Sequence, residues 1–275
     1  MGRKAFVLIL ALVVTITIAA AALGAVRATH SDVKPVRVFA AASLSDVFPA
    51  LVSAFKASHP IYKARKFAFN FQGTDALVAQ IQQGAPADVF AGASTKYGDL
   101  LFTGGFVAAP VDFCRNRLIV IMPKNNPARL TILLGLAKKS GPSIAVGDAA
   151  VPIGAYTRAV LTSLNSLYGR DYRTRVMANV VSNEVNVSAV VALVKLGEVD
   201  AGFVYKSDAQ SAGTSVQRIG IPAAYQSNPL PTYPIALTKS CATPVVSGDL
   251  VKFVLGSRGQ AIMKQYGFIP KPAAP

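Results

Sequence analysis

The sequence predicts an α/β protein built as two lobes with a cleft between them, and three observations lead there. Short β-forming runs alternate with amphipathic helical patterns along most of the chain, as in helices packed on mainly parallel sheets. Small or hydroxyl-bearing residues recur where a strand hands over to a helix, as in VRVFAAASLSDVF, Val36 to Phe48. Two β-rich runs flanked by prolines, CRNRLIVIMPKNNP and NPLPTYPIALTKSC, lack the usual strand-to-helix turn, as expected where the chain crosses from one lobe to the other and returns.

At the amino end, Arg3 and Lys4 precede an apolar run from Ala5 to Leu23 and then small residues, the pattern of a secretory signal. Residues 1–28 are therefore expected to be a signal peptide cleaved after Ala28. An uncleaved anchor is the alternative, because the run is nearly long enough to span a bilayer. Without Arg3, Lys4 and Arg27 the chain keeps 25 basic against 13 acidic residues, a formal +12. These charges are scattered and no nucleic-acid motif accompanies them, so nucleic acid is not an expected partner. Long-range attraction to a small anion fits the charge better. Hydrophobic residues make up 52% of the sequence, enough for two cores of ordinary size.

The elements follow in order. Periodicity predicts strands at 36–41, 66–71, 88–91, 117–122, 143–147, 176–181, 200–205 and 233–237. Between them lie helical patterns, clearest at 44–58, where Leu44, Val47, Phe48 and Leu51 share a face, and at 75–83, 154–168 and 187–196. Two more, 246–255 and 257–266, close the chain. With both proline-flanked runs as crossings, residues 34–117 and 235–272 form the first lobe and 118–234 the second, inserted into it.

In open α/β sheets ligands sit beyond the carboxyl ends of strands, where the next helix begins with unpaired N–H groups and the positive end of its dipole. An anion suits that position. Ser43 offers a hydroxyl at such a seam, and Ala41 and Ala42 let a ligand approach the backbone. Gly73 and Thr74 repeat the arrangement in FNFQGTDALVAQI, Pro152, Ile153 and Gly154 in VGDAAVPIGAYTRAV, and Asn186 and Val187 in SNEVNVSAVVALV. The strand DAGFVY ends at Tyr205, whose phenol is a further donor. Each residue alone also reads as an ordinary helix cap, or, for Tyr205, as a core ring; their recurrence on both sides of the boundary favours a binding site.

Cys114 and Cys241 are the only cysteines. In an oxidising compartment a disulfide between them is possible, with two free thiols as the alternative. Together with His30 and His59 they make no metal-binding spacing.

The chain resembles the molybdate-binding periplasmic proteins of ABC transporters. The segments that carry the resemblance are VFAAASLSDVF, GAPADVFAGAS at 84–94, VGDAAVPIGAY at 146–156, NVSAVVALVKLGEVDAGFVYKSDA at 186–209 and GQAIMKQYGF at 259–268. The resemblance implies a type II periplasmic-binding-protein fold that closes on a tetrahedral oxyanion. It further implies a periplasmic location, delivery of molybdate or tungstate to an inner-membrane ABC permease, a monomer, no cofactor and no enzymatic activity. Carried over by motif, the ligand contacts fall on Ser43, Thr74, Ile153, Val187 and Tyr205, with no direct metal-ion ligand. Thr74 stands where serine is usual and Ile153 where a smaller alanine is common. Asp75 adds a carboxylate, expected to sit in the first helical turn and point away from the anion.

Other readings are a protein of the same fold that carries sulfate, phosphate or a small organic acid, or a serine enzyme that recognises β-lactams. The last has only the S-x-x-K spacing of Ser53 and Lys56, with Lys139 preceding Ser207 in the wrong order for that family.

Overall fold

The computed structural model describes residues 34–271. The expected signal peptide, its cleavage site, His30 and residue 272 lie outside the described residues.

From the amino end the chain runs β1 (Val36–Ala41), a 3-10 turn (Ala42–Leu44), α1 (Val47–Ser58), β2 (Phe67–Gln72), α2 (Thr74–Gln82), β3 (Val89–Ala91), α3 (Thr95–Thr103), β4 (Val111–Arg115) and β5 (Leu118–Pro123). It continues through β6 (Ile144–Gly147), α4 (Pro152–Tyr168), α5 (Tyr172–Ala178), β7 (Val180–Glu184), α6 (Val187–Leu196), β8 (Ala201–Tyr205), α7 (Lys206–Ser211) and β9 (Val216–Gly220). The last part is β10 (Thr232–Leu237), α8 (Pro244–Leu255), α9 (Ser257–Gln265) and β11 (Ile269–Pro270).

These strands form two sheets, ordered β11-β4-β10-β3-β1-β2 and β7-β6-β8-β5-β9. The first has a core on each face, and the strands alternate between them as the pleat requires. Val36, Val38 and Ala40 pack with Phe48, Phe55, Leu250 and Met263, whereas Phe39 and Phe90 pack with Leu77, Ile81 and Leu101. The second sheet is buried by α4, α5 and α6, with Val120, Ile144 and Phe203 packed against Leu161, Tyr172 and Val190. Burying one such large side chain contributes roughly 1.5–3 kcal/mol.

Several expectations need correction. The sheets are mixed rather than mainly parallel: β1 is parallel to β2 and β3, and β6 to β7 and β8, but the remaining pairs are antiparallel. The cause is the crossing itself. Strand β5 passes straight from β4 into the second sheet and runs against β8 and β9, and β10 returns to the first sheet between β3 and β4 and runs against both. The return crossing expected at residue 234 falls inside β10, so Thr232 to Pro234 belong to the first sheet. Pro234 sits at a register shift beside Tyr233, where proline is tolerated in a strand. The strand expected at 176–181 begins at Val180, because Val176 is a buried residue of α5. The first helix starts at Val47, with Ser43 in the preceding 3-10 turn.

Cys114 and Cys241 are free thiols and form no disulfide. Cys114 is buried on β4 opposite Tyr233, while Cys241 lies past the far end of β10, next to the loop whose Ala242 N–H donates to Asp88.

Candidate functional site

The parallel halves of the two sheets position one cavity between them. Ser43 follows β1, Thr74 opens α2 after β2, Ile153 is the second residue of α4, Val187 opens α6 after β7, and Tyr205 ends β8. All five line the same cavity, a small one of about 20 Å³ as traced by the centre of a water-sized sphere. That is below the range for a drug-sized ligand and suits a small one. Each of the five is at most 7% exposed. Among the described residues, none that lines this cavity carries a charge.

The backbone supplies donors here because of where helices begin. The N–H groups of Thr74, Ile153 and Val187 fall in first turns, where the helix itself offers no acceptor. Asn186 caps α6, its Oδ1 accepting from Ala189 N–H at 3.1 Å, which leaves the Val187 N–H free for the cavity. At α4 the sequence uses glycine for close approach: a Cβ on Gly154 would overlap the carbonyl oxygens of Gly147 and Asp148. The start of α4 thus rests directly on the end of β6. Arg158, one turn on, is engaged by the carbonyls of Gly147 at 2.9 Å and Gly154 at 3.0 Å and by Asn183 at 3.1 Å, rather than by the cavity.

The side-chain donors have distinct surroundings. Thr74 Oγ1 accepts from Ala93 N–H at 3.1 Å, so its own proton is available to a ligand. Ser43 Oγ lies 3.0 Å from the Tyr233 hydroxyl. The Tyr205 hydroxyl is buried with no hydrogen-bond partner among the described residues. Burial pushes its phenol well above the ordinary range, with the neighbouring Tyr233 adding to the shift, so Tyr205 remains a donor. A buried hydroxyl left unpaired costs about 1–3 kcal/mol, and a ligand that accepts its proton removes that cost.

Asp75, in the first turn of α2, is not among the cavity-lining residues. Its carboxylate lies back against Gly73, where Oδ1 would be 2.7 Å from a Cβ on that glycine.

The lobes are closed on one another. The Tyr97 hydroxyl donates to the Ala150 carbonyl, and Gln210 Nε2 donates to the Gln265 carbonyl. A Cβ on Gly73 would come within 2.6 Å of the Val185 carbonyl oxygen across the cleft.

Residues that sequence reasoning did not single out are Asn116 and Tyr233, which form a polar backing to Ser43. They come from β10 and from the β4–β5 connection, and no local motif marks them. The serine of the S-x-x-K spacing, Ser53, is exposed on α1, whereas Ser207 is buried and accepts from Asn116 at 2.9 Å.

Comparison with known proteins agrees with this architecture. The profile of a family described as bacterial extracellular solute-binding protein matches residues 36–269. A protein from Mycobacterium tuberculosis named molybdate-binding protein ModA is 33% identical over 232 residues, covering 84% of this chain and 83% of that one. A protein of the same name from Haemophilus influenzae is 27% identical over 242 residues, covering 86% and 90%. Among solved structures, the Azotobacter vinelandii periplasmic molybdate-binding protein superposes with a TM-score of 0.71 at 21% identity, over 86% of this chain and 99% of that one. The sulfate-binding protein SubI from Mycobacterium tuberculosis gives 0.74 at 15% identity, over 87% and 88%. Likeness at such identities speaks for the fold alone. The profile match and the 33% identical relative go further: the chain belongs to the bacterial extracellular solute-binding proteins, and it is a solute-binding component of transport, not an enzyme.

Proposed function

We propose that this protein captures molybdate, and equally tungstate, in the cavity between its lobes and delivers it to an inner-membrane ABC permease. In this reading it is exported by its signal peptide and works in the periplasm as a monomer, with residues 34–117 and 232–271 as one lobe and 118–231 as the other. Ser43, Thr74 and Tyr205 donate hydroxyl protons, and Ser43, Thr74, Ile153 and Val187 donate backbone N–H groups.

The observation that carries the reading is the Tyr205 hydroxyl, buried and unpaired at a cavity ringed by helix starts and free of charged side chains. A tetrahedral dianion without protons accepts from every direction, so a ring of donors matches it. Bonds from neutral donors to a charged acceptor are among the stronger ones. The relatives named for molybdate support the choice of anion. Hydrogen phosphate would need an acceptor for its proton, and Asp75 does not line the cavity. A small organic acid would normally recruit an arginine fork, and Arg158 is engaged elsewhere. Sulfate is the second reading, favoured by the lack of charged residues in the cavity lining; it presents the same charge with shorter bonds, so cavity size decides.

A thermal-shift panel of oxyanions tests this. Molybdate and tungstate should each stabilise the protein by about 2.7 kcal/mol at 100 times the dissociation constant, with sulfate and phosphate far weaker at equal concentration. A larger shift from sulfate would make the second reading the correct one.

A further inference from the structure

We propose that Tyr233, held by Asn116, is a specificity-determining residue of the anion site, fixing the Ser43 hydroxyl as a donor toward the ligand and thereby excluding anions that carry a proton. The inference rests on the reading of the cavity as an oxyanion site.

Asn116 is fully buried, and its Oδ1 accepts from the Arg117 N–H at 2.9 Å. That bond decides which way the amide faces, since oxygen must point at the N–H. The amide nitrogen therefore donates on its other side, to Ser207 Oγ at 2.9 Å and to the Tyr233 hydroxyl at 3.4 Å. In the proposed arrangement the Tyr233 hydroxyl accepts there and directs its single proton at Ser43 Oγ, which lies 3.0 Å away. Burial raises the Tyr233 phenol well above its ordinary range, so that proton stays in place. Ser43, now accepting from behind, has its own proton left for the cavity.

Thr74 shows the same logic independently, since the Ala93 N–H occupies its oxygen from behind. A hydroxyl with a free rotor can present either its proton or a lone pair, and so can bind a protonated anion as well as an unprotonated one. A hydroxyl locked as a donor cannot. Molybdate has no proton near neutral pH, whereas phosphate there retains one. The Asn116–Tyr233–Ser43 chain thus selects by protonation state, apart from any selection by size.

The test compares the parent with Tyr233→Phe, Ser43→Ala and the double variant, titrating each with sodium molybdate and sodium phosphate by calorimetry, with melting scans to establish folding. Phenylalanine preserves the edge-on packing of the Tyr233 ring against Phe113, Tyr205 and Phe268. Tyr233→Phe should weaken molybdate about three- to tenfold, the worth of one neutral hydrogen bond, while phosphate is unchanged or tighter, so that the selectivity ratio narrows. In the Ser43→Ala background the same substitution should cost nothing further, because its effect passes through Ser43. Equal losses for both anions, or losses that multiply in the double variant, would overturn the proposal and leave Tyr233 a packing residue. If Tyr233→Phe does not fold, Asn116→Ala removes the holding donor instead and must narrow the ratio; if it does not, or also fails to fold, the proposal falls. Should the parent bind neither molybdate nor tungstate but another oxyanion, the functional reading fails while the cycle is run with that anion, and binding of no oxyanion at all defeats both.

Discussion

Replacing Tyr205 by phenylalanine removes one oxygen from the protein and should move stability and binding in opposite directions. The ring stays, with its edge-on contact to Tyr233 at a centroid separation of 6.0 Å. What goes is a hydroxyl that is 1% exposed as part of its residue and has no hydrogen-bond partner among the described residues. Without ligand, the variant loses no hydrogen bond and sheds a desolvation cost of up to about 1–3 kcal/mol, so it should melt at the parent temperature or above. With ligand, it forfeits a bond to a charged acceptor worth roughly 1.5–3 kcal/mol, and the dissociation constant should rise about 10- to 150-fold at 1.4 kcal/mol per decade. Melting scans of the ligand-free proteins and calorimetric titration with molybdate measure both quantities; the chain has no tryptophan, so indole fluorescence offers no substitute. A variant that binds as tightly as the parent, or that melts several degrees lower without ligand, would mean that the hydroxyl serves the fold and not the anion.

Three further outcomes follow from the same geometry. Gly73→Ala is conformationally permitted, at φ −55° and ψ 140°, but its Cβ would crowd the Val185 carbonyl across the cleft. Overpacking of that kind costs about 1–3 kcal/mol, so molybdate affinity should fall about tenfold, and parental affinity would show that closure does not bring these atoms together. Burial lifts the Asp208 carboxyl to about 7, offset in part by the Tyr205 N–H that it accepts. A carboxyl bound to its proton more tightly in the folded state than in the unfolded one, where it titrates near pH 4, loses stability as pH rises through the interval from about 4 to 7. Asp208→Asn should therefore gain on the parent across that window and hold a constant advantage above it, and melting scans from pH 4 to 8 that show a pH-independent difference would contradict the shift. Finally, the formal charge of +12 left without the expected signal peptide comes with no charged residue in the cavity lining, so stopped-flow titration at rising salt should slow association far more than it speeds dissociation; a salt effect mainly on dissociation would reveal a lysine or arginine at the anion.

How much of this was legible in the sequence follows from the range of the interactions involved. The seams at Ser43, Thr74, Ile153 and Val187 are local events, a strand or loop followed by a helix's start, and Tyr205 is the end of a strand; periodicity marks each of these elements. Their convergence on one cavity follows from the parallel pairing of β1 with β2 and β3, and of β6 with β7 and β8. Asn116 and Tyr233 were not legible because they stand 117 residues apart and meet only through the return of β10. Helix α3 hides in TKYGDLLFT, where Gly98 interrupts the pattern so that the helix can lie against Pro234. Strand β9, VQRIG, buries only Val216 and Ile219 and is too polar to stand out. At 176–181 an apolar run continues from the last turn of α5 into β7, and periodicity cannot divide a run that short. The free cysteines escaped sequence reasoning for a simpler reason, since the separation of two side chains is a property of the fold.

The central claim is that a proton-free oxyanion is held by neutral donors from both lobes with no charged side chain in contact. The most direct measurement is a crystal structure grown with molybdate, with data collected at the molybdenum absorption edge to locate the metal by its anomalous signal. The account predicts one strong peak between the lobes, with anion oxygens about 2.7–3.1 Å from donors of Ser43, Thr74, Ile153, Val187 and Tyr205. A peak elsewhere, or oxygens paired with a lysine or arginine, would contradict it.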